Sequence, residues 1–139
     1  MRDIPDQLHI IPLINPVVEA NGFAPLSQYV ETVWLPVLDP TTTLLYRRLG
    51  TWVIQEPDGL DVDPIDLAVS FGLSENFTHG SALRRSIGRL VTFDVARWFD
   101  DTLAVRRAVR PLTDEHALNL SYSAYMAHKA MAGARVLGT

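Results

Sequence analysis

The segment from residue 81 to residue 111 constrains the fold more than any other part of this chain. Apolar residues at positions 83, 87, 90 and 91 recur at the spacing of one helical face. The pattern predicts an amphipathic helix over 81–92 that packs its apolar side on a core. The opposite side carries polar and small residues, with Arg84 on the flank. They are Ser81, Arg85, Gly88, Arg89 and Thr92.

A candidate two-stranded hairpin follows this helix directly. Residues 95–99 and 102–109 flank Asp100 and Asp101, which we expect to form a two-residue turn. Because side chains alternate along a strand, one face of the hairpin is mostly apolar. The other face carries three arginines, Arg97, Arg106 and Arg110.

Prolines shape the first 26 residues. Pro5, Pro12, Pro16 and Pro25 each fix their own backbone and disfavour helix in the residue before them. We therefore expect residues 1–26 to form an extended N-terminal arm with one short strand over Leu8–Ile11. Its apolar residues have to cover either the core of this domain or a second subunit.

Three further helices are predicted from their start and stop signals. Ser27 is a good N-cap for a helix that Pro36 ends. Asp39-Pro40 and Asp63-Pro64 repeat one start signal, an N-cap aspartate followed by proline at the first helical position. Gly72 is expected to be the left-handed C-cap of the last of these helices.

The remaining residues predict a C-terminal helix. Thr113 is its N-cap, and the helix is expected to run to about Ala132, packing on its own domain or mediating a homodimer. The chain then divides into the arm, a core over 27–112 and this helical region over 113–139. The predicted fold class is mainly α with a small antiparallel β-hairpin.

One stretch of the sequence resembles a known family. Residues 66–74 read Asp-Leu-Ala-Val-Ser-Phe-Gly-Leu-Ser, and 81–91 read Ser-Ala-Leu-Arg-Arg-Ser-Ile-Gly-Arg-Leu-Val. Together with the hairpin, these segments resemble a winged helix-turn-helix DNA-binding domain over about Pro40 to Pro111. The Trp34–Pro40 segment, Trp-Leu-Pro-Val-Leu-Asp-Pro, is also similar to a segment in small actinobacterial and phage proteins of no known function.

The resemblance implies a winged helix-turn-helix-like fold and binding of double-stranded DNA in the control of transcription. It implies that the helix over 81–92 lies in the major groove, while the hairpin reaches phosphates or the minor groove. Arginine suits both roles, because it binds guanine edges bidentately and also holds phosphates. The implied DNA-binding residues are Arg84, Arg85 and Arg89 of the helix, and Arg97, Arg106 and Arg110 of the hairpin.

The distribution of charge bears on this function more than the net charge of −4 does. Residues 1–78 carry a net charge of −8 and residues 79–139 a net charge of +4. Such asymmetry fits either a basic binding face or ion pairing between the two halves. Asp100 and Asp101 at the hairpin tip would repel phosphate.

Other classes of function have weaker support in the sequence. The chain has no cysteine, which excludes thiolate catalysis and Cys-type zinc sites, and we expect a cytoplasmic protein. The four histidines have no metal-binding spacing, and no phosphate loop or nucleophile motif is present. We expect no enzymatic activity, metal or cofactor, no signal peptide and no membrane segment.

Two alternatives to DNA binding remain open at this point. The first is a protein–protein interaction module on a winged-helix scaffold, since a fold does not fix its function. The second is a small enzyme, which would need a concave pocket with converging polar groups.

Overall fold

The computed structural model describes residues 2–74 and 81–137, and for residues 134–137 it describes the backbone alone. The α-helices of the described residues are α1 (Pro16–Asn21), α2 (Leu35–Leu38), α3 (Pro40–Gln55), α4 (Pro64–Ser70), α5 (Ala82–Thr92), α6 (Asp114–Ala117) and α7 (Tyr122–Leu137). The strands are β1 (Leu8–Leu13), β2 (Leu60–Val62), β3 (Ala96–Phe99) and β4 (Thr102–Arg106).

The four strands form one mixed sheet in the order β2-β1-β4-β3. Strand β1 pairs antiparallel with β2 and parallel with β4, while β3 and β4 form an antiparallel hairpin. The expected fold class, mainly α with a small antiparallel β-hairpin, is therefore only partly confirmed, because the hairpin is half of a four-stranded mixed sheet. The parallel pairing joins strands about ninety residues apart, and the local sequence pattern of either strand carries no sign of it.

The hairpin itself has the predicted register. Phe99 lies opposite Thr102, and Arg97 lies opposite Ala104. Asp100 occupies the turn with a φ of 53°, a left-handed conformation that aspartate tolerates better than most residues. The two-residue turn predicted from Asp100 and Asp101 is confirmed.

Both predicted Asp-Pro helix starts are confirmed. Asp39 Oδ1 accepts a hydrogen bond from the Thr42 N–H at 2.8 Å, and Asp63 Oδ1 accepts one from the Ile65 N–H at 3.0 Å. Each proline stands at the start of its helix, where its missing N–H costs nothing. Gly72, with a φ of 74°, adopts the predicted left-handed conformation after α4.

The helix that begins after Ser27 does not end at Pro36. A π-helical turn over Val30–Trp34 precedes α2, and the Leu35 N–H bonds to the Val30 carbonyl. Pro36 then stands in the first turn of α2, where a proline is tolerated. The helical segment therefore continues to Leu38, two residues beyond its predicted end.

The N-terminal region contains more regular structure than the expected extended arm. Residues 8–13 form β1, which lies inside the sheet, and Pro16–Asn21 form the helix α1. Asn15 caps α1 through hydrogen bonds from the Val17 and Val18 N–H groups. The predicted strand over Leu8–Ile11 is confirmed and extends two residues further.

The C-terminal region is two helices instead of one. Thr113 caps α6 as predicted, but residues 118–121 leave the helix before α7 begins. Ser121 makes the break favourable, because its Oγ accepts a hydrogen bond from the Ala124 N–H at 3.3 Å and so caps α7. Beyond the predicted end near Ala132, α7 continues to Leu137.

One face of the sheet packs on α3 and α5. Leu8 and Ile10 of β1 and Leu103 and Val105 of β4 belong to the same buried cluster as the inward residues of both helices. Those helical residues are Leu45, Leu49, Val53, Leu83, Ile87 and Leu90. In the part of the chain that the structure describes, no helix has the length and apolar character needed to cross a membrane.

Candidate nucleic-acid interface

Helix α5 is built as the sequence predicts. The Ser81 Oγ caps it by accepting a hydrogen bond from the Arg84 N–H at 3.3 Å. Leu83, Ile87 and Leu90 are at most 2% exposed and fix the helix on the core. The helix therefore holds its polar side in a defined position toward solvent.

That polar side forms one wall of an open groove of about 700 Å³, which we call the α5 groove. Its other walls come from the N-terminal segment and from the side chain of Trp98 on strand β3. Its principal lining residues are Arg2, Arg85, Gly88, Arg89, Thr92 and Trp98. Val91 and Phe93 complete the lining, so the groove combines three guanidinium groups and a hydroxyl group with two aromatic rings and an aliphatic side chain.

Arg85 and Arg89 lie four residues apart on α5, which places them one turn and about 6 Å apart along the helix axis. Arg85 is exposed, and the Arg89 side chain is 47% exposed. Arg89 Nη2 donates a hydrogen bond to the Val37 carbonyl at 3.2 Å, and its Nε lies 3.7 Å from Asp39 Oδ2. These contacts orient the Arg89 guanidinium at the rim of the groove.

Arg2 joins this site from the N-terminus. Its guanidinium stacks 4.2 Å from the centre of the Trp98 ring, and its Nη2 bonds to Asp101 Oδ1 at 2.7 Å. Sequence reasoning missed Arg2, because a single arginine in a segment without helical or strand periodicity gives no sign of where it will dock. The stacked geometry depends on a tryptophan nearly one hundred positions away.

Arg84 does not lie in the groove, contrary to the role that the family resemblance implies. Its side chain is only 6% exposed, with Nη2 2.7 Å from Asp3 Oδ1 and Nε donating to the Arg2 carbonyl at 3.1 Å. The flank of α5 that carries Arg84 is covered by the N-terminal segment. Arg84 therefore holds that segment in place and is not available to a ligand.

Arg106 is also buried, which again differs from the implied role in binding phosphate. It is 6% exposed, its Nε donates to the Asp94 carbonyl at 2.6 Å, and its Nη2 donates to Asp94 Oδ2 at 2.8 Å. Arg97 binds the other oxygen of the same carboxylate, with Nε 2.9 Å from Oδ1. Hydrogen bonds from Arg97 and then Arg106 hold the pKa of Asp94 below its usual value, against the opposing effect of partial burial.

The remaining hairpin arginines also lie apart from the α5 groove. Successive strand residues point to opposite faces of a sheet, so Arg97 lies on the face opposite Trp98, which lines the groove. Arg110 donates to the Phe93 carbonyl at 3.2 Å and stacks 5.3 Å from the Trp34 ring. Of the six implied DNA-binding arginines, the structure brings only Arg85 and Arg89 together in this groove.

No protein-family model matches this chain, and no curated protein or solved structure matches it significantly.

Proposed function

We propose that this protein binds double-stranded DNA through α5, as a non-catalytic regulator of transcription. The observation that carries the proposal is the exposed pair of Arg85 and Arg89, one turn apart on a helix whose other side is fixed in the core. Gly88 lies between them and has no side chain, so a phosphate or a base edge can approach the helix closely. Arg2 adds a third cation beside them.

The order of elements supports the same proposal. A helix followed at once by a hairpin is the order at the reading end of a winged helix-turn-helix domain, and α5, β3 and β4 follow that order. Two features of this chain differ from the winged helix-turn-helix pattern. Strand β1 lies between β2 and β4, and the connection from α4 to α5 includes residues 75–80, which lie outside the described residues.

The proposed contacts are fewer than the resemblance implies. On α5, Arg84 is buried. The hairpin contributes little to phosphate binding, because Arg106 is buried, Arg97 is paired with Asp94, and the tip carries Asp100 and Asp101. The interface is therefore centred on Arg85, Arg89 and Arg2.

Fluorescence anisotropy of a labelled duplex across a salt series tests this proposal. Arg85→Gln/Arg89→Gln removes two cations from the groove but keeps polar side chains of similar length. The matched control, Arg107→Gln/Lys129→Gln, removes the same charge from residues outside the groove. We expect the groove variant to bind more weakly and to lower the slope of log K against log salt by about 2.

The control should keep the wild-type slope. Absence of binding to any duplex at low salt would overturn the proposal, provided that circular dichroism shows a folded protein. An equal loss in both variants would also overturn it, because the binding would then follow net charge and not the α5 groove.

A further inference from the structure

A second groove lies on the outward side of α3, separate from the α5 groove. Its lining includes Leu26, Leu44, Arg47, Arg48, Trp52 and Phe71, and we call it the α3 groove. Leu26 is 58% exposed and Leu44 is 56% exposed. The inward side of the same helix supplies Leu45, Leu49 and Val53 to the core, and Trp52 and Phe71 pack partly against that core. Leu26 and Leu44 remain largely exposed at the groove.

The charges of the α3 groove are positive, and no carboxylate of residues 2–74 or 81–133 pairs with them. Arg48 stacks 3.9 Å from the centre of the Phe71 ring and donates to the Ser70 Oγ at 2.7 Å. Arg47 donates to the Ser27 carbonyl at 3.2 Å. Among the residues that the structure describes, no carboxylate lies within ion-pair distance of either guanidinium.

A second exposed apolar surface, flanked by negative instead of positive charges, lies near the C-terminal end of the chain. Leu118, Tyr122 and Met126 are 74%, 81% and 48% exposed and follow one another at intervals of four residues. Asp114 and Glu115 precede them in the first turn of α6. We call these five residues the C-terminal ridge.

The C-terminal ridge is not needed to hold α7 on its own domain. The packed side of α7 carries Ala124 and His128, which are 5% and 3% exposed. The His128 Nδ1 bonds to the buried Tyr29 hydroxyl at 2.8 Å. Tyr122 and Met126 lie on the other side of α7, while Leu118 precedes this helix and Asp114 Oδ1 lies 3.7 Å from His128 Nε2. The exposed side chains of Glu115, Leu118, Tyr122 and Met126 are left for a partner.

We propose that the C-terminal ridge of one protomer docks in the α3 groove of a second copy of this chain. An apolar row preceded by two carboxylates complements an apolar groove flanked by two arginines that have no carboxylate partner in the part of the chain that the structure describes. Exposed Tyr, Trp, Met and Arg side chains are the types enriched at protein interfaces. In a dimer with twofold symmetry, the ridge of each protomer binds in the groove of the other. The same contact then occurs twice, and the dimer is closed.

Sedimentation and light scattering of the full chain over a concentration series test this inference without any DNA. We expect a species of twice the 15.5 kDa chain mass that dissociates on dilution. Arg48→Glu places like charges across the contact, and so does Glu115→Arg. Each variant alone should raise the dimer dissociation constant by at least about tenfold.

An equimolar mixture of the two variants supplies the decisive measurement. In a mixed dimer, one contact pairs the native Arg48 with the native Glu115. The other contact pairs the two replaced residues, whose charges are exchanged but still opposite, so dimerisation should return. Leu118→Lys should also weaken the dimer, whereas Val17→Lys, at a residue 70% exposed on α1, should not. Circular dichroism checks that each variant is folded.

Two results would overturn the inference. The first is a wild-type chain that stays monomeric up to its solubility limit. The second is a dimer that is insensitive to Glu115→Arg and Leu118→Lys, since both side chains are exposed and their replacement leaves the fold intact. Neither result bears on the α5 groove, so failure here is distinguishable from failure of the proposed DNA binding.

Discussion

At the scale of single residues, arginines of equal chemistry have different roles because of what covers them. Arg84 and Arg85 are neighbours on α5, yet one is 6% exposed beneath the N-terminal segment and the other is exposed. The helical periodicity separates the outward side from the core, and it predicted Arg85 and Arg89 correctly as members of one outward face. The periodicity of α5 does not show that residues 2 and 3 cover the flank of the helix that carries Arg84.

Asp94 joins the helix α5 to the hairpin, and its charge should make stability depend on pH. Its pKa is lowered in the folded protein by Arg97 and Arg106. A lowered pKa stabilises the fold above the unfolded value of about 4, and this contribution is lost as pH falls through the folded value. Asp94→Asn should therefore lower the free energy of unfolding by about 1 kcal/mol at neutral pH. The expected loss is small because solvent screens this half-exposed carboxylate.

Urea unfolding of the wild-type chain and of Asp94→Asn, at neutral and at acid pH, measures the contribution of the Asp94 charge to stability. Asparagine tolerates the φ of 60° at this position, so the variant removes the charge and leaves the backbone unstrained. The difference in unfolding free energy should shrink as the pH falls below about 4. Asp58→Asn, in an exposed loop, is the control, and a constant difference across pH would refute the assignment of the effect to charge.

At the scale of secondary-structure elements, the sequence predicted best what is determined locally. The starts of α3 and α4 follow from Asp-Pro pairs, because capping and the fixed proline φ act within three residues. The hairpin and its turn were also predicted correctly. Strand β1 was predicted, but its parallel partner β4 was not, since parallel pairing joins segments far apart in the chain.

A buried hydroxyl group contributes to the attachment of α7 to the domain, together with the packing of Ala124, Ala127 and Met131. Tyr29 accepts a hydrogen bond from the Leu112 N–H at 2.9 Å and bonds to the His128 Nδ1. Burial raises the pKa of Tyr29, so its hydroxyl group stays protonated at neutral pH. Tyr29→Phe leaves both partners buried without a bond and should lower the unfolding free energy by about 1–3 kcal/mol.

Hydrogen exchange locates this loss within the fold. Amides of α7 and of Leu112 should exchange faster in Tyr29→Phe, while those of α3 should change only as far as global stability falls. Tyr125→Phe, at a half-buried tyrosine on α7, is the matched control and should leave exchange unchanged. Uniform acceleration across the chain would show that the hydroxyl supports the whole core and not the attachment of α7.

At the scale of the whole molecule, the two arginine-lined grooves lie on two helices, α3 and α5, that pack on the same face of the sheet. The α5 groove lies beside the hairpin tip and is lined by Val91, Phe93 and Trp98 as well as by its arginines, whereas the α3 groove is bordered by exposed leucines. The acidic excess of residues 1–78 does not prevent a basic site, because Arg85 and Arg89 come from the other half of the chain and Arg2 joins them only through folding. No local pattern in the sequence could have shown that arrangement.

This arrangement gives the hairpin tip a specific effect on DNA binding. Asp101 pairs with Arg2 at 2.7 Å and draws its charge away from the groove, and Asp100 adds a second carboxylate beside it. Asp100→Asn/Asp101→Asn should raise duplex affinity several-fold at low salt, because it removes repulsion near the phosphates and releases Arg2 toward them. Asparagine also suits the left-handed φ of 53° at position 100.

Anisotropy titrations against a charge-matched variant separate local from global electrostatics. Glu56→Gln/Asp58→Asn changes the net charge equally but lies in the loop before β2, at the sheet edge farthest from β3. If the α5 groove binds DNA, the tip variant should gain more affinity than this control, and the gain should disappear in high salt as screening shortens the range of the carboxylates. Equal gains in the two variants would mean that DNA responds to net charge alone, and α5 would then lose its place as the binding surface.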